Sequence, residues 1–121
     1  MILVTSSKPK QLLQVRYIER VRSDEFRRVQ ENFLTQLGEL APGFSLITDF
    51  SQLEFMEFDC AAELGRMMEK VGLAGVGLVV RVIPDPHKDI GMNILTAFHY
   101  AHRPRIVTCK QMTEAVNLLG I

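Results

Sequence analysis

Val76-Gly-Leu-Val-Val-Arg-Val-Ile83 is apolar at every position except Gly77 and Arg81, and its apolar residues are all Val, Leu or Ile. A short β-branched run of this kind, without alternation of polar and apolar positions, is the pattern of a strand covered on both faces. Both faces are covered where helices cross over a parallel sheet, so the run predicts a central strand of an α/β fold. The flanks agree. Upstream, Ala61, Leu64, Met68 and Val71 recur at helical spacing, with Gly72 in the place of a C′ residue. Downstream, Pro84-Asp-Pro86 breaks the strand, and a helix beginning near Asp85 or Asp89 directs Ile90, Ile94, Ala97 and Ala101 inward. Gly91 costs that helix about 1 kcal/mol relative to alanine, and Pro104 closes it.

Farther out, residues 1–5 and 12–18 read as two strands around Ser6-Ser-Lys-Pro-Lys10. Leu13, Val15 and Tyr17 of the second alternate with Gln14 and Arg16, which predicts an N-terminal hairpin. Ser23 before Asp24 and Glu25 reads as an N-cap with acidic residues where the helix dipole favours them. Phe26, Val29, Phe33, Leu37 and Leu40 then mark a buried stripe, and Pro42-Gly43 ends the helix. Residues 44–48 are β-prone, and residues 49–56 lead on to the next helix. Residues 105–107 form a last strand, Thr108-Cys-Lys-Gln111 matches a capping box, and Met112, Ala115, Val116 and Leu119 line a final helix. The prediction is one α/β domain over residues 1–121, with a mainly parallel sheet of four or five strands, an N-terminal hairpin and four helices, in the order β-β-α-β-α-β-α-β-α.

The 121 residues are 47% hydrophobic, enough to bury a core without disulfide or metal staples. Cys60 and Cys109 match neither a metal-ligand spacing nor a disulfide framework, which places the chain in a reducing compartment, by default the cytoplasm. The first apolar run is too short for a signal peptide, and the longest, residues 71–83, falls well short of the ~20 residues of a spanning helix. No membrane insertion is expected. Basic and acidic side chains balance at 14 each, yet residues 29–69 carry a net charge of −7. An acidic middle third argues against nucleic acid and for a protein partner with a basic surface.

The order of elements and the stretch Ile47-Thr-Asp-Phe-Ser-Gln-Leu-Glu-Phe-Met-Glu-Phe-Asp-Cys60 resemble the STAS family, named for sulphate transporters and anti-sigma factor antagonists. In that family a strand ending in Asp-x-Ser leads to an apolar pair and then to Asp-Ser-Ser-Gly at a helix start. Asp49, Ser51, Phe55 and Met56 fall at matching positions. The four signature residues are replaced by Glu57, Phe58, Asp59 and Cys60. The resemblance implies a regulatory or scaffolding protein-interaction domain similar to anti-sigma factor antagonists, with a second copy of the chain among its candidate partners. The family's phosphoacceptor is typically the second serine, and Asp59 has no hydroxyl there, so the usual switch is not expected.

Glu54, Glu57, Phe58, Asp59, Cys60 and Glu63 are the candidate partner-binding residues. Asp59 has two readings: an N-cap whose carboxylate accepts backbone N–H bonds, or a fixed negative charge where relatives carry a phosphate, with about half its charge. Phe58 is either an exposed anchor or a core side chain. The alternative function is a small anionic-ligand binder, or an enzyme, using His87, Lys88 and Asp89 at a strand's carboxyl end and a helix start; Asp85 and Asp89 oppose that charge, and Asp-Pro is an ordinary helix start. His99 and His102 have helical spacing but no third ligand near them. No phosphate-binding glycine loop and no nucleophile elbow occurs, so no catalytic residue, metal or cofactor is assigned.

Overall fold

The structure is a computed structural model that describes residues 1–85, 100 and 104–120. Its strands are β1 (Ile2–Ser7), β2 (Leu12–Val21), β3 (Ser45–Met56), β4 (Leu78–Val82) and β5 (Arg105–Cys109). The described helices are α1 (Ser23–Gly38), α2 (Cys60–Leu73) and α3 (Met112–Leu119). The sheet has the order β1-β2-β3-β4-β5. It is mixed: β1 runs antiparallel to β2, and the three other pairings are parallel. The helix expected between β4 and β5 lies outside the described residues, as do His87, Lys88, Asp89, His99 and His102.

Alternation along the strands divides the core in two. Val15, Tyr17, Leu46, Phe50 and Val79 point to one face, where Phe26, Phe33, Leu37, Leu64, Met68 and Val71 of α1 and α2 cover them. Ile47, Val80 and Val82 point to the other and meet Ala115 of α3, with Met112 and Leu119 beside it. β4 is the run that decided the fold, and it is buried on both faces as a strand between two covering layers must be. It lies between β3 and β5, while the middle position belongs to β3.

Four boundaries depart from the sequence reading, each because backbone geometry outweighs side-chain pattern. Arg22, not Ser23, is the N-cap of α1, and Glu25 Oε1 accepts the Arg22 N–H at 3.2 Å, half of a capping box. Gly72 is buried within α2; the left-handed residue after that helix is Gly75, at φ 89°, where a Cβ would stand 3.0 Å from Pro42 Cβ. Thr108 belongs to β5, and Gln111 is the N-cap of α3. β3 continues through residues 49–56 instead of ending at Thr48.

That last departure has two bulges in it. From Arg16 to Val21, β2 advances five residues while β3 advances seven, from Asp49 to Met56, with register shifts before Ile18 and before Arg20. At the first, Asp49 Oδ1 accepts the Ser51 N–H at 2.9 Å, and Arg16 Nε stands 3.5 Å from Asp49 Oδ2. The Asp-x-Ser element therefore shapes a bulge, its buried carboxylate paired and hydrogen-bonded as burial demands. At the second, Glu19 adopts φ 57° opposite Leu53. No helix among the described residues is long and apolar enough to cross a membrane.

A non-glycine residue in the left-handed region costs about 1–2 kcal/mol. Glu19→Gly relieves that cost at some loss in chain entropy, so it should raise unfolding stability by about 0.5–1 kcal/mol in urea titrations. A loss of stability would show that the Glu19 side chain, not the backbone, matters there.

Candidate functional site

The carboxyl ends of β2 and β3 project past β4, whose last pairing with β3 is Asp49↔Val82. Beyond it β3 turns through residues 57–59 into α2, and this corner carries the candidate partner-binding residues. The turn is tied to the β2–α1 connection at three points. The Glu57 N–H donates to Val21 O at 3.2 Å, Glu57 Oε1 accepts the Ser23 N–H at 3.3 Å, and Cys60 Sγ lies 3.7 Å from the same Val21 O. Glu57 thus places a negative charge on the N-terminus of the neighbouring helix, where unsatisfied N–H groups and the helix dipole favour one. Sequence reading missed this role because the interaction spans 34 positions.

The turn presents Phe58 to solvent at 97% exposure. The core alternative for Phe58 is thereby overturned: its neighbours Glu57 and Cys60 hold the turn down, and the ring at its apex points away. Cys60 is the opposite case. It is fully buried and contributes to the core, not to a partner surface. Burial first, and then the nearby carboxylates of Asp59 and Glu57, push its thiol up to about 11, so it is neutral and unreactive at physiological pH.

Asp59 occupies the N-cap position of α2, but at φ −69° and ψ −10° it is helical, and its carboxylate makes no capping bond. The first N–H groups are met otherwise: Cys60 donates to Glu57 O at 3.0 Å and Ala61 to Phe58 O at 3.2 Å, a tightened lead-in turn. The capping reading of Asp59 is corrected accordingly, and its charge is left exposed. Of the four acidic candidates, Glu57 is engaged with α1 and Glu63 is paired with Arg66 at 2.7 Å. The side chains of Glu54 and Asp59 are exposed and make no hydrogen bond or ion pair among the described residues. The acidic surface open at this corner is therefore narrower than the −7 charge of residues 29–69 suggests. Phe55, 55% exposed, lies beneath the Arg20 guanidinium, 5.9 Å from the ring centroid.

A cleft under α1 and α2, lined by Tyr17, Phe33, Phe50, Met67, Arg81 and Tyr100 among others, has a volume of about 20 Å³. That is room for about one water and far below a ligand site of ~300 Å³ or more. No trio of His, Cys, Asp or Glu suited to a metal occurs among the described residues.

Two substitution pairs follow from this geometry. Asp59→Ala and Asp59→Ser should melt together, within about 0.3 kcal/mol, since neither replacement finds N-cap geometry there; a serine variant more stable by about 1 kcal/mol would restore the capping role. Glu57→Ala should cost about 1 kcal/mol through the lost bond to α1, while Glu54→Ala stays within about 0.5 kcal/mol. Equal effects in urea titrations would refute the tie.

No protein-family model and no curated protein sequence matches the chain. Solved structures do. A protein of the DUF3478 family with a SpoIIAA-like fold from Shewanella loihica PV-4 superposes with a TM-score of 0.73 at 12% identity, over 98% of this chain and 92% of the other. The anti-sigma factor antagonist SpoIIAA in its unphosphorylated form gives 0.63 at 17% identity, over 99% and 98% of the two chains. The Bacillus cell fate determinant SpoIIAA in the phosphorylated form gives 0.66 at 12% identity, over 98% and 99%. With the strand order, the paired parallel strands and the β3–α2 corner in place, the chain has the SpoIIAA-like fold, the architecture of STAS domains.

Proposed function

We propose that this chain is a non-catalytic regulatory or scaffolding domain that binds a protein partner through the β3–α2 corner. The observation that carries the reading is Phe58, a large apolar side chain almost wholly in water at the tip of a turn that Glu57 and Cys60 hold in place. An aromatic residue on a fixed backbone loses little entropy on docking, and its burial is worth about 1.5–3 kcal/mol. The likeness to SpoIIAA, an anti-sigma factor antagonist, supports a regulatory role. Asp59 stands where STAS relatives carry the phosphoacceptor serine. A carboxylate there needs no kinase, so in this reading the corner works without phosphorylation at that position.

A photo-crosslinking residue in place of Phe58 should give a discrete protein adduct in extract of the native host. The same residue in place of Leu118, half-exposed on α3, should give none. The absence of a discrete adduct at position 58, or the same adduct from both positions, would refute docking through the corner.

A further inference from the structure

The corner is equipped for a particular chemistry, and the following rests on its being a docking surface. Two partly or wholly exposed aromatic rings, Phe55 and Phe58, stand three residues apart, their Cα atoms separated by no more than about 11 Å of chain. Next to them in the chain, the side chains of Glu54 and Asp59 are exposed and make no hydrogen bond or ion pair among the described residues. Glu57 and Glu63 are engaged elsewhere, so these two carboxylates carry the charge open to a partner. The ring of Phe55 already holds a cation: the Arg20 guanidinium sits over it at 5.9 Å. Arg20 reaches that place through the second bulge, where Glu19 takes a left-handed conformation and the register shifts so that Arg20 pairs with Phe55. Strain of this kind beside an exposed surface points to a demand other than folding.

We propose that the corner recognises a basic peptide segment of its partner, with an apolar or aromatic side chain on Phe58 and Lys or Arg side chains at Glu54 and Asp59. Arg20 is an internal stand-in for one of those cations, covering Phe55 in the free protein and opposing the partner's charge. Cation–π attraction and unpaired carboxylates act on the same group, and aromatic faces bordered by acids are a recurring means of holding cationic side chains. An acidic segment meets repulsion from both carboxylates. A neutral apolar one gains Phe58 alone.

The test uses the full chain, immobilised, and a display library of random peptides. Recovered binders should place Lys or Arg beside an aliphatic or aromatic residue. Their affinity, read by titration at 0.1 M salt, should fall at least tenfold with Phe58→Ala and at least fivefold with Glu54→Gln combined with Asp59→Asn. It should rise about two- to fivefold with Arg20→Ala. The substituted side chains are exposed, so unchanged melting of each variant establishes that folding is intact. Binders that need Phe58 but are acidic or neutral, or ignore the double neutralisation, would overturn the basic-peptide inference and leave docking through the corner standing. Basic binders indifferent to Phe58→Ala, or no binder that depends on Phe58, would overturn both. An affinity unchanged by Arg20→Ala would remove Arg20 from the proposal.

Discussion

The parallel pairing of β2 with β3 extends from Leu12↔Ser45 to Val21↔Met56, well past the end of β4 at Val82, and the geometry of the corner depends on it. Parallel strands need a crossover helix to connect them, so the ends of β2 and β3 both lead into helices at the same edge of the sheet. Their connections are thereby neighbours, and Val21 O, at the end of β2, accepts from Glu57 and lies against Cys60. Shortening the pairing would remove that acceptor from the turn and free Phe58 from its fixed position. The two bulges belong to the same constraint. They let β3 use seven residues against five of β2 without separating the strands, and they aim successive side chains away from a regular pleat.

Much of the fold was legible because it rests on periodicity. A β-branched run with polar interruptions only at Gly77 and Arg81 must be covered on both faces, and β4 is. The apolar spacing of α1 and α2 likewise identified Phe26, Phe33, Leu64 and Met68 as core. Ends of elements were less legible. Whether Arg22 or Ser23 caps a helix turns on backbone angles that a serine does not determine. Residues 49–56 alternate poorly because two bulges interrupt their period, so a strand looked like a connecting segment.

The corner shows the same division one residue at a time. Sequence position brought Glu57, Phe58, Asp59 and Cys60 together, and local pattern suggested a cap at Asp59. The cap it overlooked is Glu57, acting on another helix, because long-range pairing in space leaves no periodic trace. Asp59 and Glu57 carry the same charge two positions apart, yet one completes the fold and the other faces water. Exposure separates them, and exposure depends on a turn whose N–H groups are already met by Glu57 O and Phe58 O.

Under the docking proposed at this corner, Phe58 and Cys60 divide recognition from stability within three residues. Cys60 is buried and in contact with Val21, so a change there acts on the core. Phe58 touches almost nothing in the free protein, so the unfolded and folded states hydrate it alike and it contributes little to the folding equilibrium. A partner that buries it gains its full transfer free energy, about 1.5–3 kcal/mol, or roughly ten- to a hundredfold in affinity. Glu57 bears on both, through the fold directly and through the proposed docking indirectly. It ties the turn to α1, and a turn held in one conformation spares the partner the entropy of ordering it, about 1–2 kcal/mol for each backbone residue fixed. For the docking proposed at this corner, weakening that tie would therefore reduce affinity without removing any atom of the exposed surface.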